Sequence, residues 1–283
     1  MDNLDLKLIE FLSNIENVIY ITTLIFVIIT IIESLELLSL KRYYGKNGIW
    51  SDEIIDLKFK NYQSNYFQKT TTNLLTKLLH FSNFYKIIQI QLVLAILLLY
   101  YQNPIILIIL LIIKILISIK WNGSFNGGSD SMGIVICIGL IISTTYPSIS
   151  NNINFQIAGV VYIVYNLILS YFRAGLVKIK NKNWLNGKEL IIFTNNTIYN
   201  ENSKIIKLIN YKYNSIILSL VLILWEILFA FSILNLNLTL IFLSIGIVFH
   251  FMNFYIFGLN RFFFNWLAAY PAFIYLAILI SNN

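Results

Sequence analysis

Charge is what this sequence has least of. Asp, Glu, Lys and Arg together make up 12% of its 283 residues, against 58% hydrophobic ones. A soluble domain carries about 25% charged residues, and its surface would need far more polar cover than this chain supplies. Cysteine is nearly missing as well, since Cys137 stands alone inside an apolar run. One thiol excludes a disulfide framework, a CxxC redox centre and a thiolate metal cluster within the chain, and Cys137 reads as a small buried hydrophobe. Histidine occurs only at His80 and His250, without HExxH spacing or a His/Asp/Glu cluster, so no metal site is expected. A Gly-x-Ser-x-Gly elbow is absent, and the glycine-rich stretch lacks the Gly-Lys-Ser/Thr of a P-loop. The formal net charge of +7 would point to nucleic acid in a soluble protein. Here no basic run with interleaved aromatics lies outside the hydrophobic segments, so no nucleic-acid partner is expected. Basic residues that flank membrane spans bind anionic lipid and set topology instead.

The bilayer is the remaining solvent. A helix needs about 20 apolar residues to cross about 30 Å of hydrocarbon, and eight segments approach that length: 18–40, 87–101, 104–119, 132–146, 155–179, 215–234, 239–259 and 262–280. The fold expected is a single all-α domain over 1–283, a polytopic membrane helical bundle of about eight transmembrane helices. Glu33 and Glu36 place the end of the first span at the interface, and Lys114 near the end of the third snorkels to the headgroups. Asn103-Pro104 makes a tight turn. Two polar stretches interrupt the spans, 41–86 and 180–214; within the first, TTNLLTKLLHFSNF (71–84) suits a helix lying on the membrane surface. The first sixteen residues are acidic rather than basic and precede a full-length span, so no cleavable signal peptide is expected. Heavy use of Ile, Asn and Lys is that of an AT-rich bacterial genome, which makes a multi-pass protein of the bacterial inner membrane the expected localisation.

Alternation of eight spans puts both polar stretches and the glycine-rich loop on one face of the membrane. Nearly all Lys and Arg residues lie on that face and only Lys7 on the other, which by the positive-inside rule makes it cytoplasmic.

Ionisable groups inside spans are expensive and face the bundle interior, so each is a functional candidate. Glu226 lies mid-span in LILWEILFAF, and His250 lies in the next helix. Counted from the turn near Leu236 at 1.5 Å per residue, their depths are about 15 Å and 21 Å. The pair then bridges directly or through water, either as a proton relay or ligand-orienting pair or as an interhelical hydrogen bond that fixes packing. Arg173 and Lys178 close the fifth span in YFRAGLVKIKNKNWLNGKEL. Lys180 and Lys182 snorkel, whereas Lys178 sits closer to the apolar run, where an amine is suited to act as a base. Asn126 and Asp130 belong to WNGSFNGGSDS, whose paired glycines let backbone N–H groups approach a ligand closely, unless the stretch is a plain loop.

Three stretches together resemble one family. YFRAGLVKIKNKNWLNGKEL (171–190) has an aromatic pair, Ala-Gly, a lysine and then Trp-x-x-Gly; FNGGSDSMG (125–133) matches an Asn-Gly-Gly-x-Asp loop opening a span; WEILFAF with FHFMNFYIFGLNRFFF (225–231, 249–264) matches an acidic helix followed by a His-x-Met-Asn helix. GIWS (48–51) fits the family's early loop. The pattern is similar to the HTTM domain, the horizontally transferred transmembrane domain that includes the vitamin K-dependent gamma-carboxylases. It is nearest to short bacterial members, among them one that helps mature a sporulation-delaying peptide toxin. The resemblance implies that Lys178 is the base that deprotonates a lipophilic quinol, and that catalytic Lys178, Glu226 and His250 share a pocket with binding residues Asn126, Asp130, Arg173, Trp184 and Asn253. It also implies a peptide or protein substrate, with or without a soluble or membrane partner subunit. Gly128 stands where the carboxylases carry a histidine and their large lumenal domain is missing, which disfavours glutamate carboxylation. The resemblance puts the polar face outside the cytoplasm, opposite to the charge bias. A non-catalytic scaffold or immunity-type partner and a small transporter are the alternatives.

Overall fold

In hydrocarbon a backbone N–H or C=O finds no water, so a chain this apolar must close its hydrogen bonds inside each segment, as helices do. The computed structural model describes residues 9–45, 48–60, 66–121, 127–145, 153–196 and 204–282. Its elements are α1 (Ile15–Ser39), α2 (Lys41–Tyr44), α3 (Asp52–Lys60), α4 (Tyr66–Leu79), α5 (Phe81–Tyr100), α6 (Pro104–Trp121), α7 (Gly127–Thr145) and α8 (Ile153–Ile179). They continue with α9 (Lys182–Leu185), α10 (Lys188–Asn195), α11 (Lys204–Ile209), α12 (Lys212–Leu228), α13 (Leu236–Phe257) and α14 (Asn260–Ser281). No strand occurs among the described residues. Eight of these helices, α1, α5, α6, α7, α8, α12, α13 and α14, are long and apolar enough to cross a membrane. The protein is an all-α, multi-pass helical bundle.

Local chemistry sets the helix ends. Asn14 and Asn235 cap α1 and α13 by accepting backbone N–H groups, which satisfies donors that have no helical partner. Pro104 opens α6 at the one position where its missing N–H is harmless. Gly258 stops α13 in the left-handed conformation at φ 69°, a backbone state open to glycine. Within α1 the hydroxyls of Thr23, Thr30 and Ser34 donate to carbonyls one turn back, so polar side chains enter the bilayer already satisfied.

Helices α1 and α14 form the buried centre, and α5, α7, α8 and α13 pack around them. Outward faces such as Ile217, Val221, Ile241 and Val248 are exposed and meet lipid. Helices α7 and α8 approach so closely that a Cβ on Gly159 would collide with Ser143 Oγ and the Gly139 carbonyl.

The first polar stretch is a folded cap with its own core. Leu37, Tyr44, Ile55, Phe84 and Trp121 are buried together, and Trp50 meets Trp121 edge-on at 4.3 Å between centroids. Lys58 Nζ donates to the Ile119 carbonyl and Lys120 Nζ to the Leu79 carbonyl, covering acceptors that helix C-termini leave open. Burial lowers the Lys58 pKa and pushes the Tyr44 phenol up to about 12, where its hydroxyl donates to the Leu37 carbonyl.

This corrects the single surface helix expected over 71–84. The chain breaks at His80, because the Phe81 N–H is taken by Asp52 Oδ1, and the second span starts at Phe81 rather than at residue 87. Phe84, Ile88 and Gln91 continue one buried face below that break.

Overpacking a tight core typically costs about 1–3 kcal/mol. Gly159→Val is therefore expected to lower the melting temperature of the detergent-solubilised protein, measured by size-exclusion after heating. Val161→Leu, on the exposed side of the same helix, leaves it unchanged.

Candidate functional site

Lys178 closes α8 and Glu226 lies deep in α12, with about 21 Å of helix between it and Lys212 at 1.5 Å per residue. The two helices meet because Gly175 has no side chain: a Cβ there would stand 3.2 Å from Glu226 Cβ and 2.7 Å from Ile227 Cγ1. Lys178 Nζ then lies 2.5 Å from Glu226 Oε1. The carboxylate is 2% exposed and the lysine 15%, so the pair is shielded on one side and open on the other.

Trp184 covers that opening. Its ring lies 5.3 Å from Lys178 Nζ, a cation–π arrangement that holds the ammonium without neutralising it. Helix α9 is pinned there by Ser219 Oγ, which donates to the Trp184 carbonyl at 2.6 Å. The second polar stretch is thus a chain of short helices laid against α12.

A separate buried polar cluster holds His250. Tyr171, fully inside α8, places its hydroxyl 2.6 Å from His250 Nε2 and 3.0 Å from the Tyr270 hydroxyl. Gly246 makes room for Tyr270, whose hydroxyl occupies the space a Cβ would take. Phe249, Phe262 and Trp266 surround the imidazole at 4.9–5.2 Å between centroids. Among the described residues, His250 Nδ1, Glu226 Oε2 and Trp266 Nε1 have no hydrogen-bond partner despite being buried.

The Glu226–His250 bridge, expected directly or through water, is not formed directly: the two side chains have these separate contacts. Adjacent helices in sequence are joined at one end only, and the register of α8 against both decides which side chains meet. Tyr171 and Tyr270 were not among the expected site residues; Tyr171 is the first residue of the YFRAG stretch, and nothing in its type set it apart from the other tyrosines of the 18 in the chain.

The remaining candidates go elsewhere. Arg173 is exposed and forms no ion pair among the described residues. Asn253 turns its amide back to the Phe249 carbonyl at 2.8 Å and lines an apolar cavity. Asn126 lies outside the described residues. Asp130 belongs to a second polar network, 3.3 Å from Arg261 Nη1.

That network is the larger one. Arg261, 1% exposed, also lies 3.2 Å from Glu33 Oε1 and 3.4 Å from Glu36 Oε2. Glu33 Oε2 accepts from Lys114 Nζ at 2.5 Å and from Gln91 Nε2 at 3.1 Å, and Asn260 donates to Glu36. Five spans, α1, α5, α6, α7 and α14, contribute. Lys114 therefore does not snorkel, and Glu33 is held inside the bundle: both are less than 8% exposed. A partner within reach removes the reason for a lysine to leave the core.

Removing one member of a buried charge pair costs about 3–5 kcal/mol, because the others remain buried and unpaired. Arg261→Met is expected to abolish recovery of folded protein in detergent. Arg173→Met, at an exposed position, gives a normal elution profile and melting temperature.

No group of three or more His, Cys, Asp or Glu side chains is arranged for a metal among the described residues. Comparison with protein-family models, with curated proteins and with solved structures gives no match.

Proposed function

We propose that this multi-pass protein is an HTTM-type protein of the bacterial cell membrane that modifies or matures a peptide or protein at its polar face. The observation that carries the reading is the 2.5 Å contact between Lys178 and Glu226, buried in the bundle and covered by Trp184. Such a pair is an acid–base couple: when the proton shared between them moves from Lys178 onto Glu226, the neutral amine can take a proton from a bound group. Tyr171 and His250 form a second buried polar contact beside Trp225, without a hydrogen bond to the couple.

A lipophilic quinol, which the family resemblance implies, fits the residues present. Aromatic rings frame His250, and buried polar atoms of Glu226, His250 and Trp266 have no protein partner among the described residues. When bound, such a group supplies an acidic hydroxyl and reducing equivalents. Lys178 would receive the proton, the aromatic walls would exclude water, and His250 would orient the ring through its free nitrogen. Gly128, where the carboxylases have histidine, argues against glutamate carboxylation.

The rival reading is a non-catalytic scaffold. It is favoured by one observation: Lys178, Glu226 and Asp130 each already have an internal partner, as packing glue requires.

The two readings differ in what Lys178 does beyond folding. Peptide mass profiles of cells expressing the wild type or Lys178→Met at equal level are compared, beside quenching of tryptophan fluorescence by added menaquinone-4 in the purified protein. The catalytic reading expects a mass change present only with the wild type, and quinone binding weakened about tenfold, one missing contact of about 1.4 kcal/mol, in His250→Phe. The exchange Lys178→Glu with Glu226→Lys then restores folding without restoring the product. Identical peptide profiles for the wild type and Lys178→Met would leave the scaffold reading standing.

A further inference from the structure

A cavity of about 230 Å³ lies between α12 and α13, roofed by α10 and α11. Its walls are apolar, with Val221, Val248 and Met252 below and Leu190, Thr194 and Ile209 from the roof. It is larger than the roughly 150 Å³ apolar cavity that takes up benzene. Val221 and Val248 are more than half exposed, so the cavity opens sideways to lipid.

The roof has a marked charge. Lys188 precedes Leu190 by two residues, Lys207 precedes Ile209 by two, and Lys212 follows Ile209 by three; Lys204 opens α11. All four are exposed. The described acid in the short helices α9–α11 is Glu189, which accepts from Asn183. Between these lysines, Ile192, Phe193, Leu208 and Tyr211 are exposed apolar groups, the composition of a segment at the headgroup level. The roof holds its shape through Thr194 Oγ1, which donates to Asn210 Oδ1 at 2.8 Å, and Asn210 Nδ2, which donates to Asn195 Oδ1.

We infer that this is a binding site for one anionic phospholipid, with an acyl chain in the cavity and the phosphate among Lys188, Lys207 and Lys212. An apolar slot selects a hydrocarbon chain, and a basic rim selects negative over zwitterionic headgroups. The site sits beside the Trp225 and Phe249 side of the Tyr171–His250 network, and it does not depend on the acid–base reading of Lys178.

Native mass spectrometry of the full chain tests it. The delipidated protein is titrated in detergent with phosphatidylglycerol, with phosphatidylcholine of the same chains, and with glycerol 3-phosphate. The expected result is a saturable one-to-one phosphatidylglycerol adduct, at least about fivefold tighter than the phosphatidylcholine adduct, and no adduct with glycerol 3-phosphate. Val248→Trp or Met252→Trp, which fill the cavity, remove the adduct. Lys188→Gln with Lys207→Gln and Lys212→Gln brings its affinity down to that of phosphatidylcholine. Ile241→Trp, lipid-facing on the same helix but outside the cavity, leaves it unchanged. Equal retention of the two lipids overturns the inference, as does an adduct that survives both cavity-filling variants in protein of normal elution, or one formed by glycerol 3-phosphate alone.

Discussion

A charge inside a bilayer must find its partner within the protein, and in this chain the buried carboxylate of Glu33 has found two. Lys114 and Arg261 hold it from different helices, with Gln91 completing the shell. Because Glu33 of α1 and those partners from α5, α6 and α14 meet, the register of the four helices is not free to slide: moving any one by a turn would strand a buried charge. Asp130 and Glu36 extend the same constraint to α7 and to the polar face. The rest of the bundle is oil against oil, which by itself specifies little about rotation or depth.

The Lys178–Glu226 pair follows the same logic but is built differently. It joins α8 to α12 alone, it depends on the missing side chain of Gly175, and one end remains reachable past Trp184. A fully enclosed network such as that of Glu33 fixes a fold. A pair left open on one side suits the proposed exchange of a proton with something that enters. The contrast between the two networks is the structural basis for placing chemistry at one and architecture at the other.

Much of the fold was legible in the sequence because hydropathy depends on composition alone. Eight spans were expected and eight long apolar helices are present, with the second starting at Phe81 rather than 87, because the buried face of Phe84, Ile88 and Gln91 runs across the expected boundary. The partners of the charges were not legible. Glu33, Lys114 and Arg261 sit near segment ends, where snorkelling is a sufficient explanation for any single residue; their pairing across positions 33, 114 and 261 has no local signature. Lys178, Glu226 and Trp184 were each singled out, and the structure brings them together. His250 sits in a separate cluster with Tyr171 and Tyr270, and Asp130 joins the other network instead. Residue type flagged the costly groups, and helix register chose their companions.

The claim on which the architecture rests is that Glu33 and Lys114 are coupled inside the membrane. A double-mutant cycle with Glu33→Gln, Lys114→Met and both together, read as unfolding free energies in detergent micelles, measures that coupling directly. Each single change should strand the other group, so the double variant should be more stable than the summed single losses predict by more than about 1 kcal/mol. Losses that add to within about 0.5 kcal/mol would mean that the two groups do not meet, and would contradict this arrangement of the bundle.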